Sequence, residues 1–262
     1  MEELVRNVGQ HGACTVLLKD SVESKGSFMV HYLLAKLLSQ TSTRVVLLGL
    51  SDPYTHYNRI ARKQGCNLQA CRDKGRFVFL SLSPDVFDAA THAWNGNDAQ
   101  QENMQSVANL LASLYSKVRD AARSMEPRGD GSGEQTCIII DDVSVLDVVA
   151  GGPHDSVLDF VHYCQALQAG GKQRCSVVLL AHQDTYEADD SYAPLELEYV
   201  SNTVISVEPL STGLAADVHG QMTIHNRSGR SHVQHSVPGL GIQKFQFRIM
   251  ENGVQFFLPG QL

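Results

Sequence analysis

The chain has 262 residues, of which 43% are hydrophobic and 19% are charged. This composition supports a sizeable core and excludes wholesale disorder. One α/β domain with an appended antiparallel sheet reaches this length, so we expect a single domain over residues 1–262. Twenty-eight acidic residues against 21 basic ones give a net charge of −7, which argues against nucleic-acid binding through overall charge. Any RNA contact must be local.

Targeting and redox signals are sparse. The N-terminus has no basic flank before an apolar run, and no stretch approaches the length of a membrane span, so we expect an intracellular protein without a membrane partner. The six cysteines form no C-x-x-C pair, and four lie in apolar segments, as reduced core thiols do. Among the histidines, His232 and His235 have no second cluster at ligand spacing, and we expect no metal.

The first half of the chain alternates strand and helix patterns. A strand ending at Asp20 is followed by a polar turn and by an apolar helix, which predicts a βαβ unit. Spacing of the apolar residues extends this alternation. The further predicted elements are a helix over 28–38, a strand over 44–50, a helix over 54–64 closed near Gly65, a strand over 76–80 and a helix over 101–125.

The second half begins with more buried strands and ends in a different pattern. Strands over 137–140 and 176–182 flank a helix over 157–167, and their continuous hydrophobicity predicts a mainly parallel sheet covered on both faces. Residues 218–226 and 244–250 alternate apolar with polar side chains, as antiparallel strands do. The Asn252-Gly253 pair predicts a type I′ hairpin turn. Flexible surface loops are predicted near residues 126–135 and 184–198.

The turn after the first strand lacks a phosphate-binding loop. That loop needs the pattern G-x-x-x-x-G-K-[ST], in which glycines expose backbone donors, lysine neutralises charge and a hydroxyl holds magnesium. Here the segment reads DSVESKGS. With Ser27 at the hydroxyl position, Gly26 replaces the lysine, Lys25 the second glycine and Asp20 the first. Asp20 and Glu23 also place negative charge where a triphosphate would lie, so the nucleotide signature is degenerate.

A divergent but active ATPase is the alternative. In that interpretation the flexible Lys25 reaches a phosphate, Ser27 supplies the hydroxyl, and Asp141 of the Walker B-like pair Asp141-Asp142 holds magnesium through water. Against it, both aspartates also suit the simple end of a strand, accepting backbone hydrogen bonds in the turn. The segment after the second strand reads SDP rather than containing a catalytic glutamate. We therefore expect no cofactor and no catalytic residue.

Six segments carry a family resemblance. They read KGSFMVHYLLAKLL, HYNRIARKQGCNL, GRFVFL, IIIDDVSVL, VLDFVHYCQAL and STGLAADVHGQMTI. Together they closely resemble the subunit 6 family of the Elongator complex, from about the first helix to the C-terminal hairpin. Segments such as VLDFVHYC are not expected in a generic ATPase domain.

The resemblance implies a RecA-like fold without the standard ATPase signature. It further implies a hetero-hexameric ring with Elongator subunits 4 and 5, which is an accessory module of the remaining complex and binds tRNA. Elongator modifies wobble uridines, and the family places that chemistry in another subunit, so we expect no enzyme here. The expected location is the cytoplasm, with the nucleus as a second site. A signalling scaffold unrelated to RNA is a weaker alternative.

Two locally basic stretches are candidates for tRNA contact through the phosphate backbone. The first comprises Arg59, Arg62, Lys63, Arg72, Lys74 and Arg76. A solvated helix face explains this stretch somewhat better, because such charge runs are common on helices. The second contains Arg227 and Arg230, in a loop that would face the pore of a ring. A plain strand connection explains that loop equally well.

Overall fold

The structure is a computed structural model of the chain, and α-helices and strands account for most of what it describes. The described residues are 1–9, 14–82, 100–125, 135–150, 155–167, 174–185, 193–210, 212–213, 215, 217–227 and 241–260. Their helices are α1 (Glu2–Gly9), α2 (Ser27–Ser39), α3 (Tyr54–Lys63), α4 (Leu68–Asp73), α5 (Gln100–Ser124), α6 (Val143–Ala150), α7 (Asp155–Ala166) and α8 (Ala193–Val200). Their strands are β1 (Thr15–Asp20), β2 (Thr43–Gly49), β3 (Phe77–Ser81), β4 (Gln135–Ile140), β5 (Arg174–His182), β6 (Thr203–Glu208), β7 (Gly220–Asn226), β8 (Ile242–Met250) and β9 (Gly253–Phe257).

The strands form one sheet with a parallel part and an antiparallel extension. Within the described residues its order is β3-β2-β4-β5-β1-β6-β7-β8-β9. Pairing is parallel from β3 to β6 and antiparallel from β6 to β9. This confirms the predicted mainly parallel sheet with C-terminal antiparallel strands. Because β1 lies between β5 and β6, the ends of strands distant in sequence become neighbours.

Two apolar clusters cover the two faces of the parallel part. Along β2, Val45 and Leu47 pack into the cluster under α1 to α4, whereas Val46 and Leu48 pack into the cluster under α5 to α7. All four side chains are fully buried. Each contributes roughly 1.5–3 kcal/mol to the free energy of unfolding. Burial on both faces explains why the strand sequences are continuously apolar rather than alternating.

Two of the predicted loop boundaries are wrong. The acidic segment 184–198 contains the start of α8 at Ala193, where buried Leu197 faces the core and Glu198 pairs with Lys19. The loop predicted to end at Gln135 ends earlier, since Gln135 is the first residue of β4 and is buried. Its side-chain amide donates to the Val8 carbonyl at 2.5 Å. Residues 126–134 and 186–192 lie outside the described part of the chain.

Five elements were not predicted. The helices α1, α4, α6 and α8 and the strand β6 are short, with lengths of six to eight residues. In α4, the side chain of Asn67 caps the helix by accepting the Ala70 N–H at 3.1 Å, the ordinary role of asparagine at a helix start. The four helices span only about two turns each, too few for the spacing of apolar residues to stand out in the sequence. Strand β6 reads TVISVE, and its mixture of polar and apolar residues gives no continuous apolar run.

The C-terminal hairpin is confirmed, but its turn is shifted by one residue. Met250 pairs with Gly253, so the two connecting residues are Glu251 and Asn252 rather than Asn252 and Gly253. Gly253 instead opens β9 with a φ of 153°, a backbone angle that glycine adopts readily.

None of the six cysteines forms a disulfide, and five of them are buried while Cys14 is half-buried. Burial raises the pKa of the Cys175 thiol to about 12. In the described residues no three His, Cys, Asp or Glu side chains are grouped so that they could hold a metal ion; His232 and His235 lie outside those residues. None of the described helices has the length and apolar character required to cross a bilayer.

Candidate functional site at the carboxyl edge of the sheet

A cavity of about 250 Å³ lies at the carboxyl edge of the parallel strands. In open α/β sheets this edge is where ligands bind. The polar residues lining the cavity include Asp20, Lys25, Ser27, Asp52, Asp141 and His182. The fold therefore brings the degenerate nucleotide loop and the Walker B-like strand end to one place, as a nucleotide site would require. Whether the cavity offers the chemistry of such a site depends on how these side chains are paired.

The carboxylate of Asp20 turns back into its own loop. Asp20 ends β1, is only 1% exposed, and accepts the Gly26 N–H at 2.5 Å. Within the same loop, the Ser24 N–H donates to the Ser21 carbonyl at 3.1 Å and closes a tight turn. A Cβ atom at residue 26 would lie 3.1 Å from the Cβ of Asp20, so glycine permits this close approach. The loop is folded around a side chain rather than opened around a ligand.

His182 lies between two carboxylates at the end of β5. Its Nδ1 contacts Asp20, and its Nε2 lies 3.1 Å from Asp142 Oδ2. Hydrogen bonds to Asp142 and then to Asp20 raise the pKa of His182 to about 10, although partial burial opposes them. The imidazole is therefore protonated at neutral pH. The Ser144 hydroxyl accepts the backbone N–H of His182 at 2.9 Å and fixes the end of the strand.

Asp141 is engaged by groups from the segment after β2. Its carboxylate accepts the N–H of Leu50 at 2.6 Å and the N–H of Ser51 at 3.2 Å, and the Tyr57 hydroxyl donates to it. Burial raises the pKa of Asp141, while these hydrogen bonds oppose the shift. Burial and the nearby Asp141 charge raise the pKa of Tyr57. Both Asp141 oxygens thus accept hydrogen bonds from the protein itself.

Asp142 completes the network across the strand ends. It accepts the Ser51 hydroxyl at 3.0 Å and the Ser144 N–H at 3.0 Å, in addition to its contact with His182. The bond from the Ser144 N–H is the one expected when an aspartate simply ends a strand, because its carboxylate then accepts a backbone N–H in the following turn. Ends of the four adjacent strands β2, β4, β5 and β1 are consequently joined by one set of hydrogen bonds. In this set, which we call the ionic network, the carboxylates and the imidazole pair with other groups of the protein.

Lys25 and Ser27 remain at the surface beside this network. Both are exposed, whereas Gly26 between them is buried. Ser27 begins α2, and no side chain caps that end of the helix. The loop residues predicted from sequence are therefore brought together, but only Lys25 and Ser27 present polar groups to solvent.

The first basic stretch divides into exposed and structural cations. Arg59, Arg62, Lys63, Arg72 and Lys74 are exposed on α3, α4 and the turn after it. The guanidinium of Arg76 instead donates to the Gln40 carbonyl at 2.6 Å and to the Leu38 carbonyl at 2.7 Å, at the end of α2. Lys63 lies 3.0 Å from Glu251. Arg76 thus serves the fold, and the exposed cations are the ones that a phosphate backbone can reach.

The second basic stretch is only partly described. Arg227 is half-buried and follows β7, and its guanidinium donates to the Glu198 carbonyl at 2.6 Å. Its backbone N–H donates to the Asn202 carbonyl at 2.7 Å. Arg227 is therefore tied to α8 and to the start of β6, while Arg230 lies outside the described residues.

Comparison with known proteins identifies the family. The sequence model described as Elongation complex protein 6 matches residues 5–251. The chain belongs to the Elongation complex protein 6 family. A protein of Xenopus tropicalis named Elongator complex protein 6 is 32% identical over 254 residues, covering 93% of this chain and 90% of that one. Its rat namesake is 29% identical over 256 residues, covering 96% and 92%, and its Dictyostelium discoideum namesake is 21% identical over 313 residues.

The fold of this member of the Elongation complex protein 6 family is RecA-like. A crystal structure of a KaiC-like protein from Pyrococcus horikoshii superposes with a TM-score of 0.56 at 13% identity, covering 94% of this chain and 90% of that one. Both the family resemblance and the predicted fold class are thereby confirmed. At this identity the structural likeness concerns the fold alone.

Among the titratable residues that line the cavity, sequence reasoning missed His182 and Tyr57. His182 directly follows the apolar run from Val177 to Ala181 in β5, as Asp141 directly follows the apolar end of β4. A titratable residue ending a predicted parallel strand was therefore a usable signal. Tyr57 gave no comparable signal, since its contact with Asp141 depends on how α3 packs against the sheet.

Proposed function

We propose that this chain is a non-catalytic subunit of Elongator. In this proposal it joins subunits 4 and 5 in a hetero-hexameric accessory ring and supports tRNA binding and wobble-uridine modification, in the cytoplasm and also in the nucleus. The observation that carries the proposal is the family match over residues 5–251, nearly the whole chain. The alignments with relatives that bear the Elongator name cover 92% of the rat protein and 90% of the Xenopus tropicalis protein.

The pairing of the carboxylates supports a role without catalysis. Asp141 and Asp142 accept hydrogen bonds from Ser51 and from other protein groups, so a magnesium ion would have to displace these bonds. Asp20 holds the Gly26 N–H, which would otherwise face a phosphate. Hydrogen bonds to charged groups are each worth about 1.5–3 kcal/mol. A nucleotide in the usual geometry would lose several of them.

The exposed cations support an RNA contact made locally. Arg59, Arg62, Arg72 and Lys74 are exposed on α3, α4 and the turn after α4, a set that we call the α3–α4 surface, while the net charge of the whole chain is −7. Phosphate contacts by arginine and lysine supply affinity without reading sequence. We propose that this surface adds to the tRNA affinity of the ring.

Co-expression tests the assembly. The chain is produced with Elongator subunits 4 and 5, and the mass of the purified particle is measured by light scattering. A hexamer-sized particle containing all three chains supports the proposal, and a chain that stays alone contradicts it. In cells lacking the chain, wobble-uridine modification should be lost. Unchanged tRNA modification would favour the signalling scaffold instead.

The divergent ATPase remains the second candidate and makes a different prediction. It requires Lys25 to reach a phosphate, so Lys25→Ala should abolish nucleotide binding at this chain's own site. Under the non-catalytic proposal Lys25→Ala changes neither ATP binding nor hydrolysis by the assembled ring. Lys117→Ala is a matched control, because Lys117 is also exposed but lies on α5, away from the cavity.

A further inference from the structure

The turn between β1 and α2 holds a carboxylate where a phosphate-binding turn presents its backbone donors. Asp20 Oδ2 lies 2.5 Å from the Gly26 N, and Asp20 Oδ1 contacts His182. The residue is 1% exposed, so its contacts are shielded from water. The start of the 13-residue helix α2, which favours negative charge, therefore already has an anion beside it.

We propose that Asp20 is a built-in anion that occupies the phosphate position of this turn, and that removing its carboxylate converts the cavity into a site for phosphate or pyrophosphate. The inference rests on the proposed non-catalytic role and deepens it, because it assigns the exclusion of phosphate from this turn to one side chain. The donors that would then receive the anion are the Gly26 N–H, the Ser27 hydroxyl, the Lys25 ammonium and the His182 imidazolium. All four residues adjoin the cavity or its loop.

The proximity of Asp20 favours its carboxylate over free phosphate for the Gly26 N–H. The two groups belong to one chain and lie six residues apart, so their contact costs none of the translational and rotational freedom that a free phosphate loses on binding. The Asp20 charge also repels an incoming phosphate, and this repulsion is stronger in a half-buried cavity than in water.

The other carboxylates near the cavity do not fill this position. Asp141 accepts the N–H groups of Leu50 and Ser51, and it lies at the end of β4 rather than in the loop. Asp52 lines the cavity, but its side chain is 38% exposed and its partner is His56 at 3.8 Å. Removing Asp52 therefore deletes the same charge without freeing a backbone donor, which makes it a matched control.

Pyrophosphate binding by full-length variants tests the inference. The wild-type chain, Asp20→Ala and Asp52→Ala are titrated with pyrophosphate in isothermal calorimetry, and their thermal transitions are followed with up to about 10 mM ligand. We expect Asp20→Ala to bind at least about 10-fold more tightly than the wild type, as the loss of one like charge and the release of one donor predict. Asp52→Ala should bind less than about 3-fold more tightly.

Three results overturn the inference. They are a wild type that binds pyrophosphate as tightly as Asp20→Ala, an Asp20→Ala variant that folds but gains no binding, and an Asp52→Ala variant that gains as much. If Asp20→Ala does not fold, the wild type is tested alone by ¹⁵N NMR of the imidazole of His182. That signal should stay unchanged on addition of about 10 mM pyrophosphate, and a shift contradicts the inference. Assembly with subunits 4 and 5 is measured separately. A chain that does not assemble contradicts the proposed function, whereas the pyrophosphate titrations test only the role of Asp20.

Discussion

Tyr57 donates its hydroxyl proton to the carboxylate of Asp141, which ties α3 to the end of β4. Both side chains are nearly inaccessible, at 2% exposed for the whole Tyr57 residue and 3% for Asp141. Both residues line the cavity at the carboxyl edge of the sheet, where a nucleotide would bind. Asp141 therefore stabilises the fold, although it lies at the edge where open α/β sheets bind their ligands.

Replacing Tyr57 with phenylalanine should lower the free energy of unfolding by about 1–2 kcal/mol. The substitution keeps the ring but leaves the buried Asp141 with one hydrogen bond fewer, and a lost hydrogen bond to a charged group has this magnitude. Urea denaturation of the full chain measures the change. Tyr163→Phe is the control, because Tyr163 is 57% exposed on α7. Equal effects of the two substitutions would contradict the role of the contact.

Replacing Arg76 with alanine should destabilise the chain by about 1–3 kcal/mol, since the carbonyls of Leu38 and Gln40 lose a charged donor. Arg76→Lys should restore only part of the stability, because one ammonium cannot reproduce the planar fork of a guanidinium. Thermal or urea unfolding checks both variants. Arg72→Ala, at an exposed position, should stay within about 0.5 kcal/mol of the wild type. Full stability of Arg76→Ala would contradict the capping role.

Stability should fall as the pH rises from about 6.5 to about 10. The folded-state pKa of His182 is about 10 and its ordinary value is 6.5, so the folded chain holds a proton that the unfolded chain has released across this range. The contribution is complete below pH 6.5 and is lost as the pH passes through 10. The groups facing the imidazole are Asp20 and Asp142, with Lys25 across the cavity.

His182→Gln provides the comparison for this pH dependence. Urea unfolding of the wild type and the variant between pH 6 and pH 9.5 gives the difference in stability at each pH. That difference should be largest at the acidic end and shrink toward pH 9.5. A constant difference over the whole range would mean that the imidazole is not held in its protonated form.

Charge reversal on the α3–α4 surface should weaken RNA binding by the assembled ring. In the double variant Arg72→Glu and Lys74→Glu, affinity for tRNA should fall at all sequences tested, and the slope of log affinity against log salt should drop by about one per lost phosphate contact. Fluorescence anisotropy at several salt concentrations measures both quantities. Lys117→Glu, on the opposite face of the sheet, should change little. Equal losses from both surfaces would indicate a charge effect without a defined contact.

The parallel sheet was predictable because its strands have a strong local signature. In β2, for example, the four residues from Val45 to Leu48 are all apolar, which burial on both faces explains. The same signature locates Asp141, since a carboxylate directly after such a strand must lie at the carboxyl edge. It applies equally to His182, yet the partners of His182 depend on the order β4-β5-β1. No local pattern encodes that order, so the ionic network emerged only from the fold.

The predictions that the structure contradicts share a physical cause, because a polar residue is not always an exposed one. The sequence predicts a loop at Gln135, although its buried amide donates to the carbonyl of Val8, 127 positions earlier. The acidic composition predicts a solvated loop at Glu198, although this residue lies on α8 and pairs with Lys19 of β1. Arg76 was grouped with surface cations by its charge. In each case a distant polar partner compensates the burial, and sequence spacing does not reveal such partners.

The position of Asp20 also bears on how the chain is synthesised. Its buried carboxylate contacts His182, which the ribosome adds 162 residues later, and both strands that flank β1 come from the second half of the chain. At about 5–20 residues per second, this interval lasts roughly 10–30 s. Throughout that time the apolar segment 15–20 lacks both of its neighbouring strands in the native sheet. Unpaired strand edges and exposed apolar surface favour aggregation, so early synthesis is the interval in which this segment most needs protection.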